Sequence, residues 1–215
     1  MEKTKLQTWG VEELLRKYPG LRLLPTVDED LRIAGTLEFS AQSFGLEYIT
    51  DQYEIAMSVA SSFPQSVPVV REVGGRVPKD FHKMTGGELC LGSPTRLRLI
   101  LSDTSSLLLF IERCVIPYLY GYSLVEKGGT LPFGELAHGT KGLREDLADL
   151  IGFRDEQLLD QFVKLVSLKK RYANKRPCPC GSGLRVGRCH NRKLNLLRAK
   201  LGRRWFASLL LHTGQ

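Results

Sequence analysis

The 215-residue sequence predicts an α+β fold in which an antiparallel β-meander is flanked by helices and followed by a small C-terminal module. Consecutive segments that alternate apolar and polar residues, with no helical pattern between them, indicate neighbouring antiparallel strands. Helical periodicity before and after these segments predicts the flanking helices. Three cysteines and a histidine close together near the C-terminus indicate the module.

The first half of the chain carries the strand signals. Apolar residues over 11–18 mark one face of a short helix, which Pro19-Gly20 ends. Residues 31–39 and 53–59 then alternate with a period of two. A third extended stretch covers 67–77, and its two adjacent glycines indicate a turn or bulge. The pattern predicts a meander of three or four strands with one face exposed to solvent.

After an irregular loop over 78–94 the sequence becomes helical. Asp103 is a candidate N-cap for a core helix over 107–115, and Pro117 is expected to end or bend that helix. A glycine-rich connector over 128–142 follows.

Further helical patterns lie near 143–151 and 155–171. Residues 173–177 are interpreted as a linker, and two short basic helices are expected after the cysteine cluster, with a break near Gly202.

Composition places the chain among ordinary globular proteins. It is 42% hydrophobic and 25% charged, and the first residues lack the apolar run of a signal peptide. No segment of membrane-spanning length is expected. Five cysteines in a chain of this length without an export signal argue against a disulfide framework. These features predict a reduced, cytoplasmic protein with no membrane partner.

Charge is distributed unevenly along the chain. Residues 1–160 hold all 23 Asp and Glu with 17 Lys and Arg, a net charge of −6, whereas residues 161–215 hold 14 Lys and Arg and no acid. A segment with a charge of +14 suggests an acidic partner such as nucleic acid, a membrane surface or a protein. A solvated tail that aids solubility is the alternative.

The cysteine cluster has the composition of a structural metal site. Zinc takes four tetrahedral ligands from Cys and His, and two glycines between the ligand pairs allow the chain to fold back. Four protein ligands leave no open position for a catalytic water, so the predicted Zn²⁺ is structural. The predicted ligands are Cys178, Cys180, Cys189 and His190.

Cys90 lies in the irregular loop between the predicted sheet and the core helix, where functional residues are often held. A Cys thiolate is a strong nucleophile that can hold an acyl group as a thioester. A buried cysteine acting as a small hydrophobe is the alternative, which the residues alone favour. His82 and His138 are candidate bases, each with a structural alternative, and Cys114 is assigned to the core.

The order of elements, together with Pro64…Pro68, His82 and Leu89-Cys90-Leu-Gly, resembles the ubiquitin-conjugating enzyme (UBC) fold. Gly75-Arg-Val-Pro and Pro132-Phe-Gly-Glu…His138-Gly look more like the prokaryotic relatives of the antiphage CBASS type. The resemblance implies a UBC-like domain over 1–172, a thioester-forming Cys90 and a supporting His82.

One departure from the family concerns the residues after the histidine. Lys83-Met84 stand where the eukaryotic pattern has Pro-Asn, and that Asn stabilises the oxyanion when a lysine attacks. The resemblance therefore supports thioester formation more strongly than transfer to lysine. The implied partner is a ubiquitin-like modifier or a cyclic-oligonucleotide synthase, in antiviral defence.

The cluster Cys178-Pro-Cys-Gly-Ser-Gly…Arg-Cys189-His190 resembles the SEC-C zinc motif, which implies a docking module over 173–215. The basic residues expected to supply its charge are Arg185, Arg188, Arg192, Lys193, Arg198, Lys200, Arg203 and Arg204.

Three other functions compete with a thioester-forming enzyme. One is a catalytically inactive UBC-like adaptor, suggested by the missing Asn and the basic tail. A second is a nucleic-acid-binding protein, although aromatic residues are few in the basic segment. A cysteine peptidase is the remotest, because no Asn or Asp partner for a Cys–His pair can be identified.

Overall fold

The computed structural model describes residues 3–25, 29–103, 105–131 and 139–212, and it has an α+β architecture. Contacts between Cα atoms divide the chain into two compact units, Met1–Leu136 and Ala137–Gln215. The sheet belongs to the first unit, and the cysteine cluster belongs to the second. The boundary between the two units, at 136/137, lies N-terminal to the domain boundary at 172/173 that the sequence suggested.

The sheet is a four-stranded antiparallel meander in the order β1-β2-β3-β4. Residues of β2 alternate between buried and exposed, because successive side chains of a strand point to opposite faces. The buried positions of β2 and β3, including Leu37 and Ile55, form the core face that the alternation predicted. The strands are β1 (Leu21–Leu24), β2 (Leu31–Ala41), β3 (Ile49–Val59) and β4 (Val69–Glu72).

β4 is shorter than the extended stretch predicted over 67–77. It ends at Glu72, whose carboxylate accepts hydrogen bonds from the backbone N–H groups of Arg76 (3.2 Å) and Val77 (3.1 Å). The chain turns between them at Gly75, which has a φ of 78°. A buried carboxylate therefore organises the turn and terminates the strand.

In the first unit, two helices precede the sheet along the chain and the others follow it. Ser93 and Ser106 accept N-cap hydrogen bonds from Arg96 and Leu109, at 3.2 and 3.3 Å. Asp103 was expected to be an N-cap, but it is the C-cap residue of an unpredicted helix, α3. The helices are α1 (Lys3–Thr8), α2 (Val11–Lys17), α3 (Pro94–Ser102), α4 (Leu107–Phe110) and α5 (Ile116–Glu126).

A π-helical turn, Ile111–Val115, joins α4 to α5, and Pro117 lies in the first turn of α5. The run is continuous through Pro117, and the π-helical turn just before it is the kind of local bulge that accommodates a proline, which has no N–H to donate to the preceding turn. The helical run therefore continues past Pro117, where the sequence predicted an end or a bend.

The uninterrupted run Leu107–Glu126 is long and apolar enough to cross a membrane by length and composition alone, although no segment of that length was predicted. More than half of it is buried inside the fold, as in the core helix of a globular protein. A single run of this kind is weak evidence for a membrane protein.

The second unit contains five α-helices and a 3₁₀ turn (Val186–Arg188) within its described residues. Asp155 caps α7 by accepting a hydrogen bond from the Leu158 N–H (2.8 Å). Gly202, with a φ of 79°, separates the last two helices at the predicted break. The helices are α6 (Gly139–Ile151), α7 (Glu156–Ser167), α8 (Lys170–Ala173), α9 (Asn191–Leu201) and α10 (Arg203–His212).

One basic residue has a structural role within this unit. The Arg198 guanidinium donates hydrogen bonds to the carbonyls of Leu165 (2.6 Å) and Val166 (3.1 Å) at the end of α7. It satisfies carbonyls that have no partner inside the helix, and it complements the helix dipole. Arg198 is therefore less available for docking than the sequence suggested.

Candidate functional site

Cys90 ends a small hairpin that extends the edge of the sheet. The Cys90 N–H donates to the His82 carbonyl and the Met84 N–H to the Glu88 carbonyl, both at 2.8 Å. The Leu89 N–H donates to the Val70 carbonyl of β4, also at 2.8 Å. The two residues predicted for catalysis are thus neighbours across a backbone ladder, on a loop attached to a regular strand.

A buried ion pair anchors the first arm of this hairpin. The Lys83 Nζ lies 3.6 Å from the Glu72 carboxylate and donates to the Val77 carbonyl at 2.6 Å. The two side chains are only 9% and 1% exposed. Lys83, the residue that follows His82, therefore connects the loop to the turn after β4.

Tyr118 of α5 supports the same arm from the helical side. Its hydroxyl donates to the Phe81 carbonyl (2.8 Å) and lies within 3.3 Å of the His82 carbonyl. Burial raises the pKa of Tyr118, and the nearby Cys90 raises it further. The phenol therefore remains a neutral hydrogen-bond donor at physiological pH.

His82 has a φ of 39°, a left-handed conformation that non-glycine residues seldom adopt. Its ring packs edge-on against Phe81, with 5.1 Å between the ring centroids. The left-handed backbone directs the chain into the hairpin, so His82 shapes the loop as well as lying beside Cys90. The catalytic roles of His82 and Cys90 remain predictions.

Cys90 and His82 line a cavity of about 110 Å³ next to α5. The space is smaller than a cavity of about 150 Å³ that binds benzene, so it suits a short aliphatic or backbone segment. Arg113, on the π-helical turn, is exposed and lines this cavity. The other lining residues are Phe81, Leu91, Cys114, Pro117, Tyr118, Gly121 and Leu131.

Cys114 lines the same cavity but is only 3% exposed, in agreement with its assignment to the core. Burial raises the pKa of its thiol to about 12, although the nearby Arg113 lowers it. The thiolate is the nucleophilic form of cysteine, so Cys114 is unreactive near neutral pH. Cys90, in contrast, is partly exposed.

Arg76 connects the turn after β4 with β3 and the end of α5. Its guanidinium pairs with both Asp51 carboxylate oxygens at 2.7 and 2.8 Å, and also pairs with Glu126. It lies 4.4 Å from the centroid of the Tyr53 ring. This network fixes α5, and with it Tyr118, against the sheet.

The second candidate site is the cysteine cluster. The ligand atoms of Cys178, Cys180, Cys189 and His190 all lie within 4.8 Å of one another. The His190 Nδ1 lies 3.2 Å from the sulfurs of Cys178 and Cys189, and the Cys180 and Cys189 sulfurs are 3.6 Å apart. Tetrahedral zinc with Zn–S bonds of about 2.3 Å requires ligand separations of about 3.5–3.8 Å, which the Cys180–Cys189 pair matches and which the His190 contacts approach to within about 0.3 Å. The four residues could therefore hold a metal ion.

Backbone geometry explains why the ligands converge. The Cys178 N–H donates to the Leu184 carbonyl (2.8 Å) and the Val186 N–H to the Arg176 carbonyl (2.9 Å), forming a short antiparallel turn. Gly181 and Gly183 have φ values of 79° and 71°, as the fold-back prediction required.

The cluster thiols differ in their environments. Hydrogen bonding to Ser182 lowers the pKa of Cys180 to about 7, whereas burial raises the pKa of Cys178 to about 12. The His190 ring packs against Phe162 of α7, with 5.1 Å between the centroids. These contacts fix the histidine ligand within the second unit.

Sequence reasoning did not identify Tyr118 or the Lys83–Glu72 pair. Tyr118 follows Cys114 by four residues on one helix, so its side of the helix could have been predicted. No local sequence pattern indicated the ion pair, because Glu72 lies in an extended segment where it looks like an ordinary strand residue. His138 and residues 132–138 lie outside the described residues.

The chain was compared with protein-family models, curated proteins and solved structures, and nothing in any of the three matches it. The functional argument consequently depends on the residues and their geometry.

Proposed function

We propose that this chain is a ubiquitin-conjugating-enzyme-like acyl carrier with a UBC-like first domain, and that Cys90 is its thioester-forming residue. The observation that carries the proposal is the partly exposed Cys90 thiol at a cavity of about 110 Å³, on a loop attached to the sheet and to α5. Such support keeps a nucleophile in one position relative to an entering acyl group.

In the proposed reaction, the Cys90 thiolate attacks the carbonyl carbon of an activated C-terminus, and the donor's leaving group departs. No glycine-rich phosphate loop for adenylation follows a predicted strand in these 215 residues, so the donor is either a thioester on a separate activating enzyme, whose thiolate leaves, or an acyl bond that the partner already carries. The partner that supplies this C-terminus is a ubiquitin-like modifier or a cyclic-oligonucleotide synthase, and the proposed setting is cytoplasmic antiviral defence of the CBASS type.

The other residues of the site have supporting roles in this proposal. Tyr118 and Lys83 hold the loop, and His82 is the candidate base beside Cys90, since imidazole titrates near neutrality. The cysteine cluster holds structural Zn²⁺ in a SEC-C-like docking module, and four protein ligands leave no position for chemistry.

The proposal is tested by incubating the protein with an activating enzyme, ATP and the candidate partner encoded beside its gene. We expect an adduct that thiols and hydroxylamine cleave, with a mass equal to both chains minus one water. Peptide mapping should locate the partner's C-terminus on Cys90.

Two variants separate the possible outcomes. Cys90→Ala should form no adduct, and Cys90→Ser should trap an oxyester that resists thiols. An adduct that persists in Cys90→Ala would exclude Cys90 as the acceptor. If the wild-type protein forms no adduct, and the partner binds wild type and Cys90→Ala equally well, the chain is an adaptor and the enzymatic proposal fails.

A further inference from the structure

The C-terminal part of the second unit, from residue 161 onward, contains basic residues but no acidic ones. No Asp or Glu follows Asp160, so every charged side chain from 161 onward is cationic. Five of these cations fall within eight residues, 169–176, and all five are exposed. Within the part of the chain that the structure describes, none of these five forms an ion pair with a carboxylate. Their charge is therefore available to an external partner.

Backbone hydrogen bonds join this segment to the turn that precedes Cys189. The Val186 N–H donates to the Arg176 carbonyl (2.9 Å), and the Gly187 N–H donates to the Asn174 carbonyl (3.1 Å). Arg185 and Arg188, which flank those two donors, are both exposed. The resulting surface, which we name the basic face, comprises Lys169, Lys170, Arg171, Lys175, Arg176, Arg185 and Arg188.

An aromatic ring is exposed within the basic face. Tyr172 is 52% exposed, and the Arg171 guanidinium lies 4.7 Å from its ring centroid. Phe206 is fully buried, so it cannot stack on a ligand. Exposed aromatic rings among cations suit unpaired bases, because every base offers a π face while the cations contact phosphates.

We propose that the basic face binds single-stranded nucleic acid, with its cations on the phosphates and Tyr172 stacked on a base. Seven cations, none of them paired with a carboxylate among the described residues, match a polyanion with evenly spaced charges. The face depends on the metal-ligand loop for its shape, because Arg185 and Arg188 lie between Cys180 and Cys189. This inference uses residues of the second unit alone and does not depend on thioester chemistry.

The test measures fluorescence anisotropy of a labelled twelve-nucleotide oligo-dT with the full chain over a series of salt concentrations. Each phosphate contact contributes about 0.7 to the slope of log Kd against log salt for single strands. Replacing Lys170, Arg171, Lys175 and Arg176 together by Glu should weaken binding by about tenfold or more and reduce that slope by roughly 3. The same four positions replaced by Gln provide a milder variant if the first fails to fold.

A matched control changes the net charge elsewhere by four units, as the four-site Gln variant does. Arg22→Glu with Arg96→Glu, at exposed cations of the first unit, should leave the affinity within about twofold after correction for net charge. Tyr172→Ala should weaken oligo-dT binding by roughly fivefold or more and leave binding to a twelve-base-pair duplex unchanged.

Two results would overturn the proposal. One is the absence of oligo-dT binding at 50 mM salt or below, which would favour an acidic protein as the partner of this face. The other is an equal loss in the control and the four-site Gln variant, which would reduce the effect to net charge.

Discussion

The two cysteine-bearing loops of this protein use the same side chain in opposite ways. The loop of Cys90 presents one partly exposed thiol at a cavity, and backbone hydrogen bonds, an ion pair and a tyrosine support it from outside. The loop of Cys178–His190 turns three thiols and an imidazole towards one another.

This difference indicates what stabilises each loop. The first is supported by backbone hydrogen bonds, the Lys83–Glu72 ion pair and Tyr118, and its cysteine is partly exposed. In the second loop the internal contacts are the converging ligand side chains themselves. Cysteines this close to one another bind a shared cation as thiolates, and that binding stabilises the loop. Loss of the cysteine should therefore have little effect on the first loop and a large effect on the second.

Metal removal should give the largest effect and should separate the two loops. A structural zinc site in a small module contributes roughly 10 kcal/mol or more of apparent free energy. A strong chelator, or Cys189→Ser, should increase amide exchange across 177–190 and α9 while β2 and β3 stay protected, as measured by hydrogen exchange with mass spectrometry.

Cys90→Ser is the control for that experiment, because it makes the same substitution at a cysteine of the first unit, outside the cluster. It should leave exchange nearly unchanged. Equal protection with and without chelator would show that the cluster needs no metal to hold its shape.

The buried ion pair should give the next largest effect, confined to the first loop. Lys83→Met leaves the Glu72 carboxylate buried without its cation, which typically costs about 3–5 kcal/mol. We expect faster exchange at the amides of Leu89 and Cys90 and a lower free energy of unfolding of the first unit. The exposed Lys79, changed to Met, should have almost no effect.

A loss as small as that of Lys79→Met would mean that the pair does not anchor the hairpin. Glu72→Gln combined with Lys83→Met should recover part of the stability, because the uncompensated charge is then removed.

The smallest effect concerns pH and the support of α5. Burial raises the pKa of Asp51, but hydrogen bonds from Arg76, Ser123 and the Gln52 N–H lower it more, to about 2 from an ordinary value of 3.8. Its contribution to stability is therefore complete above about pH 5 and is lost as the pH falls through about 2. Asp51→Asn should flatten this part of the stability curve of the first unit, measured by urea unfolding. An unchanged acid limb would exclude Asp51 as its source.

The sheet was the most predictable part of the fold. The alternation in residues 31–39 and 53–59 led directly to β2 and β3, since a strand with one buried face must alternate. The third stretch was overestimated, because the hydrogen bonds that end β4 come from the Glu72 side chain and not from the local pattern. Asp103 was misassigned because Ser93 and Ser106 cap the neighbouring helices instead.

The candidate sites were predictable to different degrees. Spacing alone identified the four possible metal ligands, because all of them lie within thirteen residues and two glycines allow the turn. Cys90 was recognised through resemblance, since a single cysteine between two leucines carries little information of its own. The partners Tyr118 and Glu72 were missed because they approach the loop from other elements.

The sequence by itself determined the α+β class, the alternating core face of the meander and the ligand set of the cysteine cluster. These features depend on local periodicity and short spacing, which the chain states directly. Only the tertiary structure decided that Lys83 pairs with Glu72, that Tyr118 supports the hairpin and that Cys90 shares a cavity with His82. Each of these contacts joins elements that are distant in sequence or on opposite arms of a loop, so packing and burial, not local pattern, selected them.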